Sequence, residues 1–418
     1  MLTYFKLQLR PSSVITKTAQ RWLTINILQQ KLQYDTEPIN SNFRSCLIPE
    51  EIKNLEPIEL NQLTCGLHHY AAIINNQLYT WGSNEYGQLG PTNTSFSLMD
   101  SGSESEDLIE SPFLLPGAIN FKKEKSGNGY QLVAGDFHTL CLDRDTNQIW
   151  SWGAGILGRG AEVYDPLPST IDFFNEAKVT ISKILAAGDY SIAVGNPNNP
   201  EYSSRDLVYI WGYLPNTDNC KSYYPVLVQN LLDQEIKFIT SDRHGFLAVS
   251  KNKNEKYYLK WFGNENKDEF EEVPYYPNYS EDAKVLTGYS SKPAFSIEIT
   301  KELINEDDAI SKVILGGNGI AGILLKNKEL IMVDLKNKSE LKIVKFKDVN
   351  KAQLTFNFLI LNNKENELKV VNLNTLNFRH WDKRGNEGLY HNQIDSSVEK
   401  LESSANDITF SGDKLICL

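Results

Sequence analysis

The sequence predicts an all-β protein, a seven-bladed β-propeller closed by an N-terminal strand and preceded by a short N-terminal extension. One cassette of two apolar runs around a polar turn recurs seven times in the 418 residues. Short runs of this kind, separated by Asn, Lys, Asp and Gly, are typical of antiparallel hairpins. The last cassette also ends at a strand, while a strand-like segment precedes the first. Together these observations indicate repeated sheets arranged in a ring.

The cassette is clearest at residues 63–90, LTCGLHHYAAIINNQLYTWGSNEYGQLG. Gly66 stands three residues before His69, an apolar run follows, and a second run ends at Trp81 and Gly82. The first run is apolar at every position, so both faces of its strand need cover. Each sheet is therefore expected to pack between two others.

The six further copies are less regular, and they begin near residues 133, 185, 238, 313, 352 and 403. In the third copy Ser191 is predicted to take the position of His69, and in the fourth copy His244 is predicted to keep a histidine there. The copies recur every 40 to 75 residues or so, and the variation lies in the loops. This period is typical of propeller blades.

Circular closure is predicted from the two ends of the repeat region. The chain stops at residues 415–418, which match residues 78–81 in the first cassette, so the last blade lacks its outer strand. Residues 46–60 resemble the segments that follow other cassettes. We therefore expect residues 44–58 or so to supply the missing strand, which would remove the exposed edges of the array.

The pattern Gly-x-x-His followed by Leu-Tyr-Thr-Trp-Gly-Ser-Asn-x-x-Gly-Gln-Leu-Gly resembles the repeat of the regulator of chromosome condensation family. Residues 63–90 match it almost letter for letter, and residues 133–160 match it well. The third and fourth copies match it partly, and the copies after residue 300 match mainly as hairpins. The resemblance implies a seven-bladed propeller. It also implies a guanine-nucleotide exchange factor or a protein-binding platform. One mitochondrial branch of the family is linked to organelle ribosomes and respiratory-complex assembly.

The chain is predicted to divide into a basic extension, residues 1–40, and the propeller, residues 41–418. The first 34 residues contain five Lys or Arg and no Asp or Glu, which is typical of a mitochondrial presequence, or transit peptide. The alternative is an irregular basic N-terminus that packs on the domain. With the presequence, the chain resembles the mitochondrial branch most, and we expect it in the matrix; without it, we expect the cytoplasm.

Composition excludes several classes of function. A net charge of -11 makes nucleic acid a poor partner, and its sign is opposite to that of the chromatin-bound founding member of the family. No apolar stretch approaches the 18 or so residues that a membrane span requires. The five cysteines are scattered without zinc-type spacing, so they are expected to be reduced thiols.

Three histidines, His69, His138 and His244, are predicted to occupy one repeat position. Converging histidines can bind a metal, but a ring distributes equivalent positions, so we favour structural roles in which each bonds the backbone of its own blade. The repeat tryptophans are predicted to pack between blades, and they are Trp81, Trp152, Trp211 and Trp261.

Residues 317–322 spell G-x-G-x-x-G, a dinucleotide-binding fingerprint. That fingerprint needs a following helix of several turns to aim amide groups at pyrophosphate. Only Ile323, Leu324 and Leu325 precede the next turn, so we predict a glycine turn of the fifth cassette instead.

Two acidic insertions, residues 91–128 and 264–310, interrupt the repeats. Residues 93–111 contain five acids and no base, and we expect a solvated loop; phosphorylation at Ser103 or docking of a basic partner are the alternatives. The second insertion combines acids with aromatic residues. Its candidate partner contacts are Phe270, Tyr275, Tyr276 and Tyr279.

No catalytic residue, cofactor site or metal site is predicted, because no nucleophile, base or paired carboxylate stands in a recognisable context. The predicted function is a monomeric, non-enzymatic scaffold that binds protein partners in mitochondria. It would assist the assembly or regulation of a larger complex, respiratory or ribosomal. One alternative is an exchange factor for a small or dynamin-like GTPase. Another is a cytosolic accessory factor in tRNA or diphthamide modification.

Overall fold

The structure is a computed structural model. It describes residues 3–9, 23–28, 60–67, 69–74, 77–91, 108–114, 129–197, 205–215, 220–263, 284–285, 289–290, 292–300, 304, 310–316, 319–336, 342–354, 358–363, 368–373, 379–380, 400–401, 408–411 and 414–417.

Strands form nearly all of the regular structure. Two strands precede the first cassette: β1 (Thr3–Leu9) and β2 (Leu23–Leu28). Sheet 1 contains β3 (Leu60–Cys65), β4 (His69–Ile74), β5 (Gln77–Ser83) and β6 (Leu108–Leu114). Sheet 2 contains β7 (Tyr130–Ala134), β8 (His138–Asp143), β9 (Gln148–Ile156) and β10 (Glu162–Thr170). Sheet 3 begins with β11 (Thr180–Ala187), β12 (Tyr190–Asn196), β13 (Leu207–Tyr213) and β14 (Cys220–Leu227).

The same order continues along the chain. Sheet 4 contains β15 (Glu235–Asp242), β16 (Gly245–Lys251), β17 (Tyr257–Gly263) and β19 (Phe295–Glu298), while β18 (Lys284–Val285) is the fifth strand of sheet 3. Sheet 5 contains β20 (Ile310–Gly316), β21 (Ile320–Leu325), β22 (Leu330–Asp334) and β23 (Lys342–Phe346). Sheet 6 contains β24 (Val349–Leu354), β25 (Phe358–Asn363), β26 (Leu368–Asn372) and later β28 (Lys400–Leu401), while β27 (Arg379–His380) is the fifth strand of sheet 5. Sheet 7 contains β29 (Ile408–Ser411) and β30 (Lys414–Cys417), joined by β1 and β2.

Among the described residues, two short helical segments with full bounds lie between sheets. The helix α1 (Phe173–Glu176) follows sheet 2 and buries Phe174 between sheets 2 and 3. A 3-10 turn at Gln229–Leu231 follows β14 and buries Leu231 between sheets 3 and 4. The predicted all-β class is confirmed.

Each sheet from 1 to 5 packs face to face on the next. Five clusters of buried side chains lie between consecutive sheets, and each combines residues of both neighbours. The second strands β4, β12, β16 and β21 are therefore buried along their length, with only the last residue of β12 and of β16 half-buried. Sheets 2 to 5 therefore have both faces covered, as expected.

First strands of successive sheets contact one another in chain order, from β3 to β7, β11, β15, β20 and β24. We call these six strands the inner row. The strand β29 contacts both β24 and β3. In sheet 7, β1 pairs in parallel with β30. Strands from the predicted extension therefore lie next to β30, where we expected residues 44–58 to supply the missing strand. Residues 44–58 themselves fall outside the described residues.

Parts of both predicted insertions form strands. The strand β6 lies within residues 91–128 and is the outer strand of sheet 1. The strand β19 lies within residues 264–310 and is the outer strand of sheet 4. Sequence reasoning placed these strands in loops because their partners are distant in the chain.

Candidate protein-binding face

In sheets 1 to 6 the first four strands are antiparallel. The first strand therefore connects to the second, and the third to the fourth, at the same end of the sheet. We call this end the upper face and the opposite end the lower face. The segment between β5 and β6 and the segment that follows β17 both leave from the upper face. Both acidic insertions therefore begin on the same side of the molecule.

Strand pairing defines which residues of the cassettes are equivalent. The equivalent cross-strand pairs are His69–Gly82, His138–Gly153, Tyr190–Gly212 and Gly245–Gly263. The predicted equivalence of Ser191 and His244 with the first two histidines is therefore wrong, because Tyr190 and Gly245 take that position. The turn has the same two-residue length in the third copy, but there Ala187 pairs with Tyr190, so the glycine lies one position later in the register, inside the turn.

Glycine precedes the histidine for a steric reason. A β-carbon on Gly66 would overlap the His69 ring, and one on Gly135 would overlap the His138 ring. The imidazole thus lies directly over the α-carbon of the glycine three residues earlier, where only glycine leaves room. This explains the Gly-x-x-His spacing of the cassette.

Each of the first two histidines bridges to the next sheet. The Nε2 atom of His69 lies 2.9 Å from Oγ1 of Thr139. Because the Thr139 hydroxyl donates its hydrogen to the Gln88 carbonyl at 3.0 Å, its oxygen accepts from the His69 ring. His138 Nε2 lies 2.8 Å from Oγ of Ser191. These bonds differ from the predicted ones to the backbone of the same blade. Burial lowers the pKa of His138 to about 4, so its ring is neutral at pH 7.

Three of the four repeat tryptophans pack between sheets, as predicted, but not all on the same side. Trp152 and Trp211 are buried against the preceding sheet. In sheet 4 the register position of these tryptophans is filled by Phe262, which pairs with Phe246 and faces sheet 3. Trp261 stands one residue earlier, so it points to the other side and is buried against the following sheet. The rings of Phe246 and Phe262 stack at 4.5 Å. Trp81 stacks on Tyr70 within sheet 1 at 5.4 Å.

Charged turns meet at the upper end of the inner row. Arg243 of sheet 4 forms a 2.7 Å ion pair with Asp136 of sheet 2. Its side chain lies against Gly188 of sheet 3, whose own carbonyl accepts the Asp136 amide at 2.8 Å. The carboxyl of Asp189 lies beside them, and its pKa is raised to about 7, first by loss of hydration and then by the charge of Asp136, while Arg243 opposes the shift.

A second polar network joins sheets 2 and 3 farther from the inner row. Glu162 accepts from the Tyr213 hydroxyl at 3.0 Å and forms a 3.1 Å ion pair with Lys221. The Lys221 ammonium also lies over the rings of Tyr213 and Tyr223, at 5.8 and 5.3 Å from their centroids. Burial raises the pKa of Tyr213, and the charge of Glu162 adds to that shift.

Large apolar side chains stand exposed beside this network. Tyr164 and Leu167 of β10 each expose 52% of their surface, and Tyr224 of β14 exposes 56%. The Tyr224 ring crosses Gly160, which has a φ of 93° and no room for a side chain. Tyrosine is enriched at binding hot spots, so we call Tyr164, Leu167 and Tyr224 the apolar patch.

The second insertion is fastened to sheet 3. Tyr289 is fully buried with Phe246 and Phe262, and its hydroxyl donates to the Pro215 carbonyl at 2.7 Å. The strand β18 pairs in parallel with β14, and its first residue lies beside Cys220 at the upper face. Residues 264–283 therefore start on sheet 4 and end on the edge of sheet 3. The candidate contacts Phe270, Tyr275, Tyr276 and Tyr279 lie outside the described residues.

Other candidate chemistry of the sequence falls within the repeat. The strand β21 begins inside G-x-G-x-x-G, and the amide of Gly319 bonds the Gly316 carbonyl at 3.0 Å, as a turn does. Cys65 and Cys141 are buried thiols rather than halves of a disulfide, and burial raises the pKa of Cys141. Over the described ranges, no group of three or more His, Cys, Asp or Glu side chains is arranged to hold a metal ion. No helix in this part of the chain is long and apolar enough to cross a membrane.

Sequence comparison finds one family model, the regulator of chromosome condensation (RCC1) repeat, over residues 75–142. The human E3 ubiquitin-protein ligase HERC2 is 30% identical over 177 residues, which are 41% of this chain and 3% of that protein. Protein RCC1 of Candida albicans is 26% identical over 173 residues, 40% of this chain and 33% of that protein. The chain thus aligns with a third or less of these relatives.

Solved structures share the fold. Prp20p from Saccharomyces cerevisiae, described with its binding properties to Gsp1p and histones, superposes with a TM-score of 0.51 at 15% identity over 80% of this chain and 77% of that one. Human WBSCR16 superposes with a TM-score of 0.50 at 17% identity over 74% and 73%. The all-β architecture is therefore propeller-like, and kinship with the RCC1 repeat family is supported.

Proposed function

We propose that this chain, which is related to the RCC1 repeat family, is a seven-bladed propeller scaffold that binds a protein partner at its upper face. The observation that carries the proposal is the apolar patch, which stands exposed on the outer strands beside the fixed network of Glu162, Tyr213 and Lys221. Rigid, exposed aromatic side chains on an ordered support are typical of binding surfaces, because little conformational entropy is lost on binding.

Closure into a ring is part of this proposal. Seven sheets, counted over the described residues, equal the number of cassettes. The contacts of β29 with both β24 and β3 support closure between the last sheet and the first. The parallel pairing of β1 with β30 supports an N-terminal strand as the closing element.

Charge indicates the chemistry of the partner. Glu85 is exposed at the upper face, whereas the charges of Arg243 and Lys221 there are balanced by Asp136 and Glu162 in ion pairs. Residues 264–283, which leave from the same face, contain seven acids and one base. A partner with a basic, partly aromatic contact surface fits this face.

A variant of the patch tests the proposal. Tyr164→Ser, Leu167→Ser and Tyr224→Ser together should lower the recovery of specific partners at least fivefold or so in quantitative affinity purification. Tyr257→Ser is the matched control, since Tyr257 is 37% exposed at the lower face. Equal recovery with the patch variant and the wild-type protein, at equal folding by circular dichroism, would refute binding at this surface.

We further propose a mitochondrial location and a role in assembling a larger complex, respiratory or ribosomal. The basic, acid-free N-terminus supports the location. Cleavage there would remove β1 from sheet 7, so removal of a presequence and closure by β1 exclude each other in the mature protein. Imaging of a full-length fluorescent fusion, with N-terminal sequencing of the purified protein, tests both points. A diffuse cytosolic signal would refute the location.

Guanine-nucleotide exchange is the second candidate, supported by the RCC1 repeat match at residues 75–142. It predicts that the purified protein accelerates release of a fluorescent nucleotide from a candidate GTPase. The scaffold proposal predicts unchanged release. The ligase activity in the name of HERC2 is not proposed for this chain, because the aligned region is only 3% of that protein.

A further inference from the structure

The outer strands of sheets 1, 2 and 3 bulge at the same place. In each sheet, three residues of the outer strand stand opposite one residue of the third strand, which is the repeat tryptophan. These bulges are residues 110–112, 166–168 and 223–225, and each ends in proline. In sheet 4, by contrast, Trp261 pairs directly with Phe295. The bulge is thus a repeated feature of three consecutive sheets.

In sheets 2 and 3 the two bulges also share one burial pattern. The proline that ends each bulge, Pro168 or Pro225, is buried, whereas the middle residue is exposed. The middle residues are Leu167 and Tyr224, two of the three members of the apolar patch. Proline suits a bulge because it has no N–H group to lose from the ladder. The repeated bulge therefore displays one side chain from each of these two outer strands.

Each bulge rests on an upper-face loop of the preceding sheet. Pro166 lies against Gly87 of sheet 1, where an added β-carbon would come within 2.9 Å of the proline Cβ. The Tyr224 ring lies across Gly160 of sheet 2, whose amide donates to the Tyr223 carbonyl at 3.0 Å. We call residues 166–168 and 223–225 the bulge ridge. Because neighbouring sheets support it, its exposed side chains lose little conformational entropy when a partner binds.

The bulge ridge is a poor template for a partner strand. Pro166 and Pro168 supply no backbone donors on β10, and β18 already pairs with the start of β14. A partner is therefore held mainly by side chains of the ridge.

Backbone acceptors of the ridge are also engaged within the protein. The Leu167 carbonyl accepts from the Ser169 hydroxyl at 3.2 Å, and the Tyr224 carbonyl accepts from the Ser222 hydroxyl at 2.8 Å. An ordinary extended peptide would bury its N–H groups here with few acceptors to meet them, which costs free energy. A segment without N–H groups avoids this cost, and proline is the residue that lacks them.

The Tyr224 hydroxyl is a donor that calls for an acceptor. In the part of the chain that the structure describes, this hydroxyl has no hydrogen-bond partner. The carbonyls of an α-helix are occupied by its own N–H groups, whereas a polyproline II segment has no internal hydrogen bonds and keeps its carbonyls free. Tyr224 therefore favours a polyproline II segment over a helix.

Charge indicates what flanks such a segment. Residues 264–283 contain seven acids and one base, and they end where Lys284 pairs with Cys220 on β14, the strand that carries Tyr224. The two ion pairs beside the ridge are balanced and add no net charge. Basic residues next to the bound segment would complement the acids.

We propose that the bulge ridge binds a proline-rich segment in the polyproline II conformation, flanked by Lys or Arg. Prolyl rings pack on Tyr164, Leu167 and Tyr224, and the Tyr224 hydroxyl donates to a backbone carbonyl of the segment. This inference rests on the proposed function, because it names the chemistry of the partner that the apolar patch binds.

Fluorescence anisotropy of a labelled decaproline peptide with two lysines at each end, titrated with the full-length protein, tests the proposal. We expect a Kd below about 1 mM, weakened about tenfold or more in the double variant Leu167→Ala and Tyr224→Ala. Tyr224→Phe, which keeps the ring, should weaken binding about threefold through loss of the hydroxyl. Tyr257→Ala removes an exposed tyrosine at the lower face and should change it less than about twofold. Circular dichroism confirms equal folding of the variants.

Two control peptides of the same charge make the proposal refutable: a Gly-Ser peptide of the same length and an amphipathic Leu-Lys helix. Absence of decaproline binding at about 1 mM protein would overturn the proposal. Equal binding of the Gly-Ser peptide would assign the affinity to charge alone, and tighter binding of the helix would assign the ridge to a helical partner; either result overturns it.

Partner recovery with the triple serine variant of the apolar patch is measured in parallel. If that variant loses its partners but the wild-type protein does not bind decaproline, the proline-rich chemistry is refuted and the proposed function stands. If recovery is unchanged while decaproline binds at the ridge, the proposed function fails and the ridge is still a site for proline-rich segments.

Discussion

Arg243 of sheet 4 and Asp136 of sheet 2 form an ion pair, 2.7 Å between Nη2 and Oδ2, that spans the turn of the sheet between them. Repeat proteins mostly couple nearest neighbours. Here three consecutive sheets are joined at one point, because Gly188 leaves space for the arginine to cross. The upper face of sheets 2, 3 and 4 is therefore one rigid surface.

Gly188→Ala tests this contact. Gly188 has a φ of +52°, and an added β-carbon would lie 3.1 Å from the Arg243 carbonyl oxygen and 3.4 Å from its Cγ. We expect a loss of about 1 to 2 kcal/mol in the free energy of unfolding, measured by urea denaturation. Gly129→Ala is the control, since its β-carbon would meet one carboxylate oxygen at 3.5 Å. Equal stability of the two variants would contradict the role of Gly188.

The glycine beneath the repeat histidine gives a second prediction. A β-carbon in Gly135→Ala would overlap the His138 ring and approach the Gly188 carbonyl oxygen at 2.8 Å. We expect a loss of more than about 2 kcal/mol. Adding His138→Ala should recover part of that loss, because the ring is gone. Strictly additive losses in this double-mutant cycle would show that ring and glycine are not coupled.

His138 predicts a pH dependence. Its pKa in the folded protein, about 4, lies below the value of about 6.5 expected for the unfolded chain. Between these values the unfolded state takes up a proton and the folded state does not, so stability is lost as pH falls from about 6.5 to about 4. The loss amounts to at most about 3 kcal/mol.

The control for this titration is a second histidine variant. His138→Gln should flatten the dependence of unfolding free energy on pH over this interval relative to the wild-type protein. His244→Gln should retain more of the slope. A wild-type slope that is unchanged in His138→Gln would mean that other groups cause it.

Tyr289→Phe tests how the second insertion is fastened. The change removes the 2.7 Å hydrogen bond to the Pro215 carbonyl but keeps the buried ring, so we expect a loss of about 1 kcal/mol. Amides of β14 should exchange faster with deuterium, because β18 and Tyr289 cover its edge. Tyr257→Phe, at an exposed tyrosine, should leave the exchange unchanged. Slower or equal exchange in Tyr289→Phe would contradict the fastening.

Local patterns predicted the hairpins and the packing of Trp152 and Trp211 between sheets. Both follow from the alternation of side chains along a strand and from the turn residues between runs. Trp261 also packs between sheets, but on the side opposite to the other two, because it stands one residue before the register position that Phe262 fills. A shift of one residue reverses the face of a side chain, and similarity of letters alone does not reveal it.

The candidate face was harder to predict. The sequence indicated the acidic insertions, and their starting points lie at the upper face. The apolar patch lies on outer strands, which vary most between copies, so no repeat pattern marked Tyr164 or Tyr224. The burial of Tyr289 and the strand β18 depend on pairing with sheet 3, more than 50 residues away in the chain. Pairing over such separation leaves no local period in the sequence.

The fifth strands have a consequence for how the molecule unfolds. The strand β18 leaves sheet 4 to cover the edge of sheet 3 and returns as β19, and β27 links sheet 6 to sheet 5 in the same manner. If sheet 4 or sheet 6 unfolds, the neighbouring sheet to which it contributes a fifth strand loses that edge strand. Sheets 3 and 4 should thus open together, as should sheets 5 and 6, so the cooperative unit of this molecule is a pair of repeats.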